Sequence, residues 1–346
     1  MNFIILILIF AFFIFLPFLP GIIELLAPLD NKPLPVKMDY SRDARYFGRS
    51  FKKILKDSLK KAGFQKGTAE IKLSSGLEKI EMIYSDFNSD KKNLDRILLI
   101  SGNLITGHAD NFNKEIFVEG NASFGNNSII RAAAVTKDVE IDDNSKIMRW
   151  LDANGRIRAC ENTYLGISAT CGEEFQLSKG CKFRRLLGNP ILTLKDPSSV
   201  DHGLADNGRF DINNASISTT LNEIINEDMR YDEPVLINGN LIINGNLDIN
   251  SEFTINGDIK ASGNITIKTL KNVNILGNII SDSIITMAGN IKVGGNIFSQ
   301  EEVYLEGVDV GDINKLKSVI AKKKLNLGNN VTIYGFVLTE GIGTVV

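Results

Sequence analysis

The chain has 346 residues, 43% of them apolar, and a formal net charge of −2. That length can bury a sizeable core, and the near-neutral balance gives no global electrostatic reason to expect nucleic acid. The three cysteines, Cys160, Cys171 and Cys181, are odd in number and spaced 11 and 10 apart, which fits neither a closed disulfide set nor a Cys-x-x-Cys zinc grip. They are expected to fill core positions.

From Phe3 to Ile23, twenty-one residues are apolar apart from Pro17, Pro20 and Gly21. A helix needs about that length to cross roughly 30 Å of hydrocarbon. A cleaved signal would carry a basic start and an Ala-x-Ala site; here Asn2 alone precedes the run, and no such site follows. The expectation for residues 1–29 is a retained transmembrane anchor.

Residues 30–66 are basic. Lys32, Lys37, Arg42, Arg45, Arg49, Lys52, Lys53, Lys56, Lys60, Lys61 and Lys66 outnumber Asp30, Asp39, Asp43 and Asp57. A flank of this kind stays on the cytoplasmic side and attracts anionic headgroups, which implies a single-pass inner-membrane protein with a cytoplasmic body. Within it, Phe47, Phe51, Ile54, Leu55 and Leu59 fall at helical spacing with a basic opposite face, the pattern of an amphipathic helix. Such a helix would cap the first turn of whatever follows. Phe47, Phe51, Lys52, Lys53 and Lys56 are the residues expected to touch membrane lipid.

Strand alternation begins near Ile71 and runs through Ile80, Met82 and Tyr84, and a polar loop from Asp86 to Lys92 interrupts it. Over 67–211 the pattern is irregular, yet Gly102 and Gly120 are 18 residues apart in similar surroundings. This stretch reads as a coil with insertions. At 212–234 the pattern breaks: Thr220 and Glu223 fit a capping box, Leu221, Ile224, Ile225 and Met229 fall on one helical side, and Pro234 closes the segment. A short lateral helix is expected there.

The clearest signal is in 235–346. From Ile237 the chain repeats every six residues as Ile-Asn-Gly-Asn-Leu-Ile and its variants, and Gly239 to Gly257, Gly245 to Gly263 and Gly277 to Gly295 are each 18 apart. Three six-residue sides joined by tight corners make one turn of a parallel β-helix. The aliphatic residues at the first and fifth positions point inward, and Gly followed by Asn or Asp supplies a corner able to adopt positive φ. One buried Ile contributes roughly 1.5–3 kcal/mol, while ordering each residue costs roughly 1–2 kcal/mol in backbone entropy. Single hexads therefore cannot fold, and the two end turns keep open edges that can template another copy. Asn314 to Lys324 reads as a second basic excursion, and Tyr334 with Phe336, in the last turn, are the expected assembly contact.

Chemistry is sparse in the pattern. His108 and His202 are the histidines, and neither stands at a spacing that pairs it with a nucleophile. Acidic neighbours such as Asp142/Asp143, Glu173/Glu174 and Glu301/Glu302 point to opposite faces of a strand and read as solvated corners. The Asp-rich nonapeptide of calcium-binding coils is missing, and Gly289 to Asn296 lacks the strand-to-helix setting of a phosphate loop. No enzyme activity, catalytic residue, cofactor or metal is expected.

The run Ile255-Asn-Gly-Asp-Ile-Lys-Ala-Ser-Gly-Asn-Ile-Thr-Ile, with Ile275-Leu-Gly-Asn-Ile, Met287-Ala-Gly-Asn-Ile and Val293-Gly-Gly-Asn-Ile, resembles the bactofilins, polymer-forming cytoskeletal proteins of bacteria. The resemblance covers about a third of the chain, Val235 to Ile313. It implies a right-handed β-helix that assembles end to end without nucleotide, touches the membrane, and organises the envelope or cell shape, with itself, lipids and envelope-associated proteins as partners. The chain departs from the family in its length and in the added segment from Asp43 to Pro190. Two other readings use similar coils: a hexapeptide-repeat acyltransferase, opposed by the absence of His from Asp206 to Val346, and an exported adhesin or carbohydrate-binding rod.

Overall fold

The computed structural model describes residues 43–63, 67–73, 76–89, 93–193, 218–221 and 224–346, with Ile5 and Phe10 as isolated positions. Apart from those two, the expected anchor at 1–29 lies outside the described residues, among which no helix is long and apolar enough to cross a membrane. The chain divides at Asp43 into two units, and the second, Ala44–Val346, carries the architecture. Its described residues form an all-β parallel solenoid of about 13 turns with one short helix among them, α1, at Tyr46–Ala62.

The turn length is visible in the pairing. Leu98 lies beside Ile116, Ala133 beside Leu151, Val235 beside Phe253 and Leu241 beside Ile259, each an offset of 18 residues in parallel register. Each side is a strand of a few residues, as in Leu241–Ile243, Leu247–Ile249 and Phe253–Ile255, whose first and last side chains are buried and whose middle one is not. Two insertions widen single turns, at Lys268–Asn272 and at Gly311–Leu316, where offsets grow to 20 and 22.

The continuous coil expected over 67–346 is instead two coils, meeting at their C-terminal ends. The closing strand of the first, Lys182–Thr193, pairs antiparallel with the closing strand of the second, Thr332–Val345, in the register Arg185↔Leu338, Leu187↔Phe336 and Ile191↔Ile333. Gly180 N–H donates to Val345 O at 2.9 Å, and Thr193 Oγ1 donates to Gly328 O at 2.7 Å. Phe183, Leu186 and Ile191 share one apolar core with Ile333, Val337 and Val345. A hexad specifies a turn and its inward positions, but not the direction in which a block of turns is stacked, so this reversal leaves no mark on the pattern.

The lateral helix expected at 212–234 is absent from its described residues. Ser218–Leu221, Ile224–Ile225 and Met229–Tyr231 are strands, paired in parallel with Val235–Gly239, Leu241–Ile243 and Leu247–Ile249. They form the opening turn of the second coil. Inward residues in a hexad coil follow steps of two and four, so Ile225 and Met229, spaced by four, satisfy a helix and a coil equally, whereas Leu221 falls at the corner position paired with Gly239. The excursion expected at Asn314–Lys324 shrinks to the widened corner, since Lys317–Ala321 and Lys324–Leu327 return to the ladder.

Corner glycines serve close approach more than left-handed backbone. A Cβ on Gly257 would sit 2.1 Å from Gly239 O, on Gly277 2.4 Å from Gly257 O and on Gly295 2.2 Å from Gly277 O. The Asn or Asp that follows each glycine accepts the backbone N–H one turn on: Asp258 N donates to Asn240 Oδ1, Asn278 N to Asp258 Oδ1, Asn296 N to Asn278 Oδ1 and Ser318 N to Asn296 Oδ1, at 2.6 to 2.9 Å. The first coil repeats this ladder through Asp86, Asn103, Asn121 and Asp138. Its left-handed residues other than glycine stand at another corner, Ala109, Asn127, Asn144 and Asn162, with φ of 60°, 59°, 59° and 55°.

Candidate functional site: a docked helix and the coil ends

Helix α1 closes with Gly63, which adopts φ 62° and donates its N–H to Leu59 O and Lys60 O, while Lys60 and Lys61 occupy the negative end of the helix dipole. It does not cap an end turn, as the sequence implied. It lies along the side of the first coil, with Leu55 2% exposed among Ile80, Ile97, Phe117, Ala132, Ala134 and Trp150. Those partners belong to five successive strands, Gly76–Ile83, Ile97–Ile100, Asn111–Val118, Ile129–Val135 and Lys146–Ala153. Seventeen helical residues span about 25 Å, enough to cross the four spacings between these strands, roughly 19 Å at 4.8 Å each.

Arg45, just before α1, fixes its start. Its guanidinium donates to Asp152 Oδ1 at 2.7 Å and Oδ2 at 3.1 Å, to Ala153 O at 2.8 Å and to Asn154 Oδ1 at 2.7 Å. The pair is largely buried, with 15% and 9% of the two side chains exposed. Thr170 Oγ1 donates to Asp152 Oδ1 at 2.7 Å, which satisfies the carboxylate from the next turn. Gly48 permits the approach, because a Cβ there would lie 2.4 Å from the Asp152 side chain.

The five residues expected at a membrane surface are divided by the fold. Phe51 turns onto Trp150, ring centroids 5.5 Å apart and edge to face, and Lys52 places its ammonium 5.5 Å from the Phe117 ring centroid. Phe47 is 40% exposed, as is Ile54, and Lys53 and Lys56 are exposed beside them. The sequence did not single out Arg45, Gly48 or Asp152. Their signal was local: a glycine inside a helical pattern, and strands such as Arg131-Ala-Ala-Ala-Val135 that are apolar on both faces, the mark of a strand covered on both sides.

The assembly contact expected at Tyr334 and Phe336 is used inside the chain. Both lie half-buried in the closing strand Thr332–Val345, Phe336 pairs with Leu187, and the Arg185 guanidinium sits 6.0 Å from its ring centroid. Both C-terminal ends are thereby consumed, and the outer ends of the rod are the two opening turns. At the first, Gly67–Leu73 folds back antiparallel over Gly76–Ile83 and covers one of the three sides. At the second, each of Ser218–Leu221, Ile224–Ile225 and Met229–Tyr231 is paired along one edge among the described residues.

Cys171 and Cys181 are buried and Cys160 is half-buried, and all three are free thiols. Burial pushes the Cys171 thiol up to about 12 and the Cys181 thiol to about 11, which keeps both protonated and unreactive. His108 is exposed in a turn, and His202 lies outside the described residues. Among the described residues no cluster of His, Cys, Asp and Glu is arranged to hold a metal ion.

Comparison with protein-family models, with curated proteins and with solved structures gives no match. What the fold defines is a repeat protein of the β-solenoid class.

Proposed function

We propose that this protein is a membrane-tethered structural scaffold of the bactofilin type, held at the inner membrane by residues 1–29 with its body in the cytoplasm. The observation that carries the reading is the junction: two stacks share one sheet and one core, giving a stiff rod of about 13 turns, roughly 60 Å long at 4.8 Å per turn. A rod with a filled interior presents the same outward positions at fixed axial intervals, which suits the spacing of other molecules. The apolar run from Phe3 to Ile23 and the basic residues after it support the tether. Lipid, further copies of the chain and envelope-associated proteins are the partners that this reading assigns, and Phe47, Lys53 and Lys56 are the part of α1 available to lipid.

Expression of the full chain in a bacterium followed by fractionation tests the reading. The protein is expected in the membrane pellet, resistant to salt washing, with its body cleaved by added protease only after the inner membrane is breached. Recovery in the soluble fraction, or cleavage in intact spheroplasts, overturns it.

A further inference from the structure

The three described strands that open the second coil, Ser218–Leu221, Ile224–Ile225 and Met229–Tyr231, are each paired along one edge only among the described residues, and the molecule itself shows what such an end accepts. In the internal junction the sides meet in a fixed order: Lys182 faces Thr344, the Arg185–Gly188 side faces Gly335–Leu338, and Ile191 and Leu192 face Ile333 and Thr332. One side pairs with its own counterpart while the other two exchange. That is the relation of a two-fold axis, here approximate because the two coils differ in sequence.

The backbone of the outer edge is set for the same contact. Met229 N–H donates to Asn246 O, and Asn250 N–H donates to Tyr231 O. The alternation of a parallel ladder then turns the N–H and C=O of Arg230 away from the coil. On the neighbouring side Asn244 N–H donates to Ile225 O, which turns the backbone of Ile224 outward in the same way.

We propose that two copies of this chain join through these edges into a closed dimer. Met229–Tyr231 of each copy pairs antiparallel with its equivalent across a two-fold axis at Arg230, and Ser218–Leu221 of each pairs with Ile224–Ile225 of the other. At the axis the two Arg230 residues exchange both N–H···O bonds, while each guanidinium keeps its hydrogen bond to Asp232 of its own strand, 2.9 Å from Nε to Oδ1. Assembly stops at two, because the C-terminal ends are buried in the internal junction and Gly67–Leu73 covers one side of the far end. The rim carries Glu227, Asp228, Asp232 and Glu233 against Arg230. Like charges therefore face each other, and added salt strengthens the dimer by screening them.

This deepens the self-assembly in the scaffold reading and is independent of the tether, so it is measured on the full chain in detergent, where failure of membrane targeting leaves it readable. Sedimentation is expected to show a dimer that tightens from low to high salt. Arg230→Pro removes the outward N–H and no backbone bond of the coil, and it ends the exposed side-chain bond from Arg230 to Asp232; it is expected to give a monomer with an unchanged circular dichroism spectrum. Arg230→Ala keeps the N–H and is expected to remain dimeric. If the proline variant misfolds, Arg230→Cys in a Cys160→Ser background decides the matter: hydrogen-bonded antiparallel partners stand about 5.5 Å apart at Cα, within disulfide reach, and oxidation should yield a reducible dimer. A wild-type monomer at every concentration and salt, as expected if residues 194–217 of the same chain cover the edge, overturns the proposal. So does a species that lengthens without limit as concentration rises, or a dimer that survives Arg230→Pro without a crosslink at Arg230→Cys.

Discussion

The two coils are built from the same turn and differ in what lies over them. In the first, outward residues on one side are large or apolar, Ile80, Ile97, Phe117, Ala132, Ala134 and Trp150, and α1 covers them. In the second, the side that continues that sheet across the junction carries Ile242, Ile280, Phe298, Ile320 and Leu338 in one half-buried column, with Lys260 interrupting it and no described element above it. Its widened corners present Leu270 at 97% and Ile313 at 67% exposure. The clean hexads of the second coil and the blurred ones of the first therefore report cover by a neighbour and say little about the quality of the coil. Alternation is sharp where one face meets water and fades where both are buried.

The strongest way to break the comparison is to part the coils. A Cβ on Gly343 would lie 2.2 Å from Cε2 of Phe183, a ring that is fully buried at the junction. Gly343→Val is expected to cost about 3 kcal/mol by overpacking a site that cannot yield. Calorimetry is expected to show one transition for the wild type and two for the variant, one per coil. A single transition at an unshifted temperature would show that the closing strands do not couple the stacks.

Next in size is the release of α1, which would leave the first coil as uncovered as the second. Asp152→Ala deprives Arg45 of a bidentate partner in a largely buried site and is expected to cost about 2 kcal/mol. Hydrogen exchange should rise along Tyr46–Ala62 and over Lys146–Ala153, while the second coil stays unchanged. Equal protection in the variant would mean that Leu55 and Phe51 hold the helix without its ion pair.

Much of the fold could be read from the residues, and the failures have physical causes. The inward positions of the second coil, such as Leu241, Ile243 and Leu247, follow directly from the hexad, and each is at most 1% exposed. The Gly-Asn corners were also legible, but for a different reason: the sequence pointed to positive φ, whereas carbonyls one turn away leave no room for a Cβ and the asparagine carries a ladder. The helix at 46–62 was evident from its apolar stripe, yet an apolar stripe does not say whether lipid, an end turn or a sheet side receives it. The reversal between coils and the ion pair of Arg45 with Asp152, 107 residues apart, depend on chain paths that no local pattern encodes.

The smallest expected effect probes what the coils share. Asn278 Oδ1 accepts from Asn296 N–H at 2.8 Å, and its amide donates to Asp258 Oδ1 at 3.0 Å. In the first coil Asn103 Oδ1 accepts from Asn121 N–H at 2.9 Å, the same contact at the equivalent corner. Both corners are partly open to water, which replaces a lost partner, so Asn278→Ala and Asn103→Ala are each expected to cost about 1 kcal/mol by denaturant unfolding. Asn278 also bonds the turn below, so Asp258→Ala combined with Asn278→Ala should cost less than the sum of the two. An additive pair would mean that the column acts as separate bonds. Neutral single variants would leave close approach at Gly277 and Gly295 as the whole reason for the motif, with asparagine following glycine for the sake of its backbone alone.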